Sequence, residues 1–227
     1  MKTLLLGLMT VLGAAFSIAG SEATTLASDI KGQAGASISN FTTDRGLATR
    51  EDSLGASILL GAPVGGGTVA FDFALSDTDN GGELDFGVSY GKGVTLLGQD
   101  FDLTAGISSV ESVFGDREEV FVGLGYTWVA DLTATVWHED NNEWYGVELG
   151  ASYDIETPVA GLVATPFATV NIADDYSAVE VGVKATYKVS DDLSLGVKAS
   201  YNNNDFDGTS FHVDDEWIVG AGASFKF

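Results

Sequence analysis

The stretch Glu216-Trp217-Ile218-Val219-Gly220-Ala221-Gly222-Ala223-Ser224-Phe225-Lys226-Phe227 sets the fold. Counting back from Phe227, every second residue is apolar: Phe225, Ala223, Ala221, Val219 and Trp217. Between them stand Lys226, Ser224, Gly222, Gly220, Ile218 and Glu216, mostly small or polar. A period of two is that of a β-strand, whose successive side chains leave opposite faces. A strand that is greasy on one face and small or polar on the other suits a wall between hydrocarbon and water.

The same alternation recurs upstream. Val69, Phe71, Phe73 and Leu75 alternate with Ala70, Asp72, Ala74 and Ser76, and Val120, Val122, Leu124, Tyr126 and Trp128 with Phe121, Gly123, Gly125 and Thr127. Val179, Val181, Val183, Ala185 and Tyr187 alternate with Glu180, Gly182, Lys184 and Thr186. With weaker candidates included, the pattern predicts an all-β chain of twelve strands. Their limits are near 30–40, 53–61, 68–76, 83–91, 100–110, 119–129, 131–138, 143–153, 162–172, 178–188, 193–201 and 216–227. Most approach the ~9–11 residues that a tilted strand needs to cross a bilayer. The expectation is a transmembrane antiparallel β-barrel of about twelve strands, with ten or fourteen also open. Pro166 falls inside the ninth strand, where a closed ring has no free edge to excuse a missing donor. Either a bulge forms there or the strand limits differ.

The connections alternate too. Odd-numbered joins (41–52, 77–82, 111–118, 139–142, 173–177, 202–215) are polar and usually longer, whereas Ala62–Gly67, Ala130 and Val189–Asp192 are tight. Short turns on the periplasmic side and longer loops outside are usual in such barrels. Strands descending to the short turns end on Tyr90, Trp128, Tyr153, Tyr187 and the Phe225/Phe227 pair. Aromatics at one level predict an interfacial girdle, for which a secreted β-sandwich has no use. The last strand, running to an aromatic, also resembles the C-terminal assembly signal of bacterial outer-membrane β-barrels. That resemblance implies the barrel-assembly machinery as a partner.

At the other end, Met1 and Lys2 precede an apolar run from Leu4 to about Ala15, and Ser21-Glu22-Ala23 supplies small residues at −3 and −1. Residues 1–23 therefore read as a cleaved secretory signal, leaving 24–227 as the barrel domain. The apolar run is shorter than the ~20 residues of a spanning helix. The 227 residues are 45% hydrophobic yet carry a formal charge of −23, and contain 29 Gly and no Cys. The acidity argues against nucleic acid as a partner, since that requires a basic face.

Within the ring, the charged minority on the inward face is Lys31, Asp72, Asp85, Asp102, Glu148, Glu180, Lys184, Lys198 and Lys226, among Gly, Ser, Thr and Ala. The first eight are the candidate pore-lining set. A pair such as Glu180 and Lys184 would block the interior; without such pairing a narrow aqueous pore follows. Acids crowd the outward joins (Asp116, Glu118, Glu119, Glu139, Asp140, Asp205, Asp207, Asp214, Asp215), a rim that would concentrate cations. As a solvated surface it would instead meet lipid or lipopolysaccharide, bridged by divalent ions.

Catalysis finds little footing. His138 and His212 lie near the outer rim, Ser210 is one of many serines, and Asn202–Gly208 lacks full EF-hand spacing. The sequence predicts no catalytic residue, no cofactor and no metal site. Phe41-Thr42-Thr43-Asp44-Arg45-Gly46-Leu47-Ala48-Thr49 resembles the arginine–glycine–aliphatic stretch near the start of outer-membrane porins of the TorF type, with Arg45, Gly46 and Leu47 as the matching positions. The resemblance implies a signal-bearing outer-membrane channel. The combined expectation is a porin-like diffusion channel for small hydrophilic solutes or ions, slightly cation-preferring. The alternative is a structural or surface-interaction barrel with an occluded lumen.

Overall fold

Gly65 and Gly66 join their strands by the tightest connection a hairpin allows. Both have positive φ, 59° and 80°, the conformation whose twist matches that of the flanking strands. They link β2 (Leu47–Val64) to β3 (Gly67–Thr78). Leu97 and Gly98, with φ of 53° and 79°, link β4 (Gly81–Leu96) to β5 (Gln99–Ser112) in the same way. Leu97 takes up a conformation that L-residues seldom adopt, because the two-residue loop demands it.

The computed structural model describes residues 30–44, 47–78, 81–112, 116–140, 143–174, 176–206 and 216–227. The other strands are β1 (Lys31–Asp44), β6 (Arg117–Thr127), β7 (Asp131–Glu139), β8 (Trp144–Ser152), β9 (Ile155–Glu156), β10 (Leu162–Ala173), β11 (Tyr176–Lys188), β12 (Leu193–Phe206) and β13 (Glu216–Lys226). Consecutive strands pair antiparallel, and β1 pairs with β13, so the sheet closes on itself. β8 and β9 together form one stave against β10, which makes a closed barrel of twelve. Closure leaves no edge strand, and only then can β-structure sit in lipid with its backbone satisfied.

Pro166 explains why one stave is split. The register of β10 against β8 (Phe167↔Ser152) continues unchanged against β9 (Ala164↔Ile155), so no residue is inserted and no bulge forms. Tyr153 N–H still donates to the Pro166 carbonyl at 3.2 Å, but proline has no N–H to return. Asp154 instead receives the Thr165 hydroxyl, at 2.6 Å. The missing donor faces β8; on the β11 side Pro166 lies opposite Val183 in an intact ladder.

The strands are longer than the hydrophobic pattern indicates, chiefly at the outer end. Most of the expected 41–52 join belongs to β1 and β2, which stay paired as far as Asp44↔Leu47 with one register shift at Thr42/Thr43. Asn202–Phe206 continues β12 and is not a loop. Beyond the hydrocarbon layer a ladder needs no apolar residues, so its polar extension carries no alternation to read. At the opposite end the expected Ala62–Gly67 join shrinks to Gly65–Gly66. The expected single-residue join at Ala130 becomes Trp128–Ala130.

The closing seam is fastened beyond its ladder. β1 and β13 pair from Gln33↔Lys226 to Ser39↔Gly220. Below that, Gly32 and Phe227 exchange two backbone bonds of 2.8 and 2.9 Å, and the Phe227 ring fills the space where Gly32 would carry a Cβ. Above it the Asn40 side chain stands in for backbone. Its Nδ2 donates to Trp217 O at 2.7 Å and its Oδ1 accepts from Val219 N at 2.6 Å.

Candidate functional site, the inner wall

Alternation gives the closed sheet two unlike faces. Val179, Val181 and Val183 are exposed on the outside, beside Phe71, Phe73, Ile107, Val122, Val136 and Leu149. Ala178 and Glu180, which alternate with those valines, are buried inside the ring, as are Asn171, Ser200 and Asn202. In a water-soluble chain this distribution would be inverted; in lipid it is what hydrophobic burial dictates.

Large inward side chains lie opposite glycines. Trp137 pairs with Gly146, Phe121 with Gly106 and Asp72 with Gly87, and each occupies the volume that its partner's Cβ would need. The rings thus lie along the wall in recesses that glycine leaves. On one side of the outer half the interior is filled. Trp137 is 1% exposed and packs with Tyr176 and Ala178, flanked by Phe121, Trp144 and Ala173. Trp137 stacks on Tyr176 at 6.5 Å between centroids, and Trp144 meets Tyr176 edge-on at 5.6 Å. Arg117, beside this group, reaches Glu83 at 3.8 Å and Glu139 at 4.0 Å.

Of the eight charged candidates, Glu180, Lys184 and Lys198 come together and the other five fall elsewhere on the wall. Lys184 and Lys198 are direct cross-strand partners on β11 and β12. Like charges so placed repel. Here the Phe167 ring lies beneath both ammonium groups, 5.0 and 5.3 Å from its centroid, a favourable cation–π arrangement. Glu180 forms its ion pair with Lys198, and also accepts the Ser200 hydroxyl at 2.6 Å. The expected Glu180–Lys184 pairing is therefore corrected. Four residues along one strand separate them by ~13 Å, whereas strand tilt raises Lys198 above Lys184 toward Glu180. Lys184 has no carboxylate partner among the described residues.

Asp72 lies on β3, beside Leu59 of β2 and Gly87 of β4. It is exposed to solvent although it faces the interior of the ring. Among the described residues it has no cationic partner. Asp85 on β4 and Asp102 on β5 are half-buried on the same side. Glu148 sits on β8 between Thr135 and Asn171. Lys31 stands exposed at the start of β1, opposite Gly61. Three of the acids thus lie on the β3–β5 arc, and two of the lysines, with Glu180 between their strands, on the β11–β12 arc.

The six aromatics expected at the inner interface, Tyr90, Trp128, Tyr153, Tyr187, Phe225 and Phe227, are all exposed and all near the short-turn end. Phe225 and Phe227 stack at 6.5 Å, and Phe101 meets Tyr126 at 5.0 Å at the same end. A second group at the far end escaped the sequence reading. Tyr201 lies against Trp217 at 5.4 Å and His138 stacks on Tyr145 at 4.1 Å. Their signal was an aromatic on the outward side of a strand near its loop-facing end. His138 thus turns outward, its Nδ1 3.0 Å from the Trp144 carbonyl. His212, Ser210, Arg45, Gly46 and residues 1–29 lie outside the described residues; Leu47 opens β2.

No protein-family model and no curated protein matches the sequence. Solved structures do match in fold. A KdgM porin in complex with disordered oligogalacturonate superposes with a TM-score of 0.57 at 8% identity, covering 87% of this chain and 99% of that one. A NanC porin superposes at 0.55 with 13% identity, covering 86% and 100%. These identities establish likeness of fold alone. The chain has the twelve-stave architecture of outer-membrane β-barrels, and its apolar outer face suits a lipid surround.

Proposed function

We propose that the protein is a porin-like passive diffusion channel for small hydrophilic solutes and ions, slightly cation-preferring. The observation that carries the reading is Asp72, a charged side chain inside the ring that solvent reaches. A carboxyl group that solvent reaches keeps its hydration, so the wall around it is wet. Inward acids at Asp72, Asp85, Asp102, Glu148 and Glu180 outnumber Lys31, Lys184, Lys198 and Lys226 by one, which supports a slight preference for cations. The aromatics at both ends support anchoring between lipid and lipopolysaccharide layers. Residues 1–23 serve as the export signal, and the β13 strand ending beside Phe227 is offered to the barrel-assembly machinery. The Arg45-Gly46-Leu47 stretch supports kinship with the TorF type. The test is planar-bilayer recording on refolded protein under a salt gradient: a small reversal potential of cationic sign is expected, and an anionic one refutes the selectivity.

A second reading, a structural barrel with an occluded lumen, draws on the buried Trp137–Tyr176–Ala178 group. It predicts no conductance in the native protein and its appearance in Trp137→Ala. The first reading predicts conductance in both.

A further inference from the structure

Two charges of opposite sign, Asp72 and Lys184, make no ion pair among the described residues, and they face each other across the ring. Between β11 and β3 the ring runs through β12, β13, β1 and β2 on one side, and through β10, β8, β7, β6, β5 and β4 on the other, so the two staves lie nearly opposite. Level follows from register. The pairing from Asp72 passes through Leu59, Gln33 and Lys226 to Asp192 in the β11–β12 turn. Register lines cross tilted strands and so descend along the axis from stave to stave in this direction. Removing that descent brings Asp72 to about the level of Lys184 and Lys198.

The two groups stay apart for a geometric reason. Twelve staves ~4.8 Å apart and tilted by ~40° enclose a ring about 24 Å across between backbones. A lysine reaching ~6 Å and an aspartate ~3 Å leave well over 10 Å between them. Neither can neutralise the other. Glu180 makes its ion pair with Lys198 and acts on Lys184 only at longer range, so two lysines against one glutamate leave that wall with a net positive charge. An uncompensated charge at a partly buried site costs free energy, and the two walls set up a field across the gap in which a visitor carrying both signs is held aligned.

We infer that the lumen selects zwitterionic small solutes of the amino-acid or short-peptide class, held with the carboxylate toward Lys184 and the ammonium toward Asp72. The inference rests on the channel reading and specifies its substrate class. Both flanks favour the stated orientation. Lys198 adds positive charge beside Lys184, and Asp85, one stave over on β4, adds negative charge beside Asp72. A neutral solute of equal size gains nothing from this field, and a simple anion gains on one wall only.

The test is swelling of liposomes bearing the refolded full chain, with alanine, its uncharged size match lactamide and the anion lactate supplied at equal osmolarity. Alanine is expected to enter several-fold faster than lactamide. In Lys184→Gln and in Asp72→Asn the ratio should fall toward one. The charge exchange Lys184→Asp with Asp72→Lys should restore it, since the field is then reversed rather than lost. Equal entry of alanine and lactamide through a protein that conducts salt overturns the inference and leaves the channel intact. A ratio unchanged in both single variants, each shown folded by heat-modifiable gel mobility, overturns it as well. Absence of conductance and of swelling with every solute overturns the channel reading and this one together.

Discussion

Glu180→Gln tests the ionic group that Glu180 assembles with Lys198 and Ser200 on the inner wall. Glu180 is nearly inaccessible to solvent, holds Lys198 and accepts from Ser200. Glutamine keeps the shape and one acceptor but removes the charge, so Lys198 and its cross-strand neighbour Lys184 face each other with no carboxylate between them. Removing one partner of a fully buried pair costs about 3–5 kcal/mol. The Lys198 side chain retains 27% of its exposure, so water recovers part of that, and a loss of about 2–3 kcal/mol is expected. The assay is reversible urea unfolding in lipid vesicles, followed by tryptophan fluorescence. A cycle with Lys198→Met and the double variant isolates the coupling. Stability of Glu180→Gln within about 0.5 kcal/mol of the parent would refute the reasoning, because the pair would then be solvated. The same variant should move the reversal potential toward anions.

Other outcomes follow from backbone detail. Pro166→Val returns a donor aimed at the Tyr153 carbonyl; the added bond, worth about 1 kcal/mol, is largely offset by greater freedom of the unfolded chain. The diagnostic is a new slowly exchanging amide at position 166, with little change in stability. Gly32→Ala places a methyl group where the Phe227 ring lies. Overpacking of about 1–3 kcal/mol at the closing seam should lower the heat-modifiable folded fraction, and Phe227→Ala should partly restore it.

The two faces of the sheet were legible because the period of two survives wherever one face meets hydrocarbon. Val179, Glu180, Val181 and Gly182 sort themselves without a structure. The outer ends of the strands were not legible. Phe41–Asp44, Leu47–Asp52 and Asn202–Phe206 lie where the outside is already water, and a strand polar on both faces has the composition of a loop. The partner of Glu180 depended on strand tilt, which no single strand encodes. The continuation of the ninth strand past Pro166 without a bulge depended on which neighbour its missing N–H would face. The opposition of Asp72 and Lys184 needed the whole register of the ring.

Because the chain has no cysteine, single cysteines introduced one at a time from 179 to 184 on β11 report unambiguously on each face. Reconstituted in vesicles, positions 179, 181 and 183 should resist a membrane-impermeant thiol reagent and, once labelled with a fluorophore, be quenched by lipid-borne bromine. Positions 180, 182 and 184 should escape lipid quenching, and position 184, which solvent reaches, should react with the reagent. Lipid quenching that is uniform along the strand, or that lacks a period of two, would contradict a closed sheet with lipid on one side and water on the other.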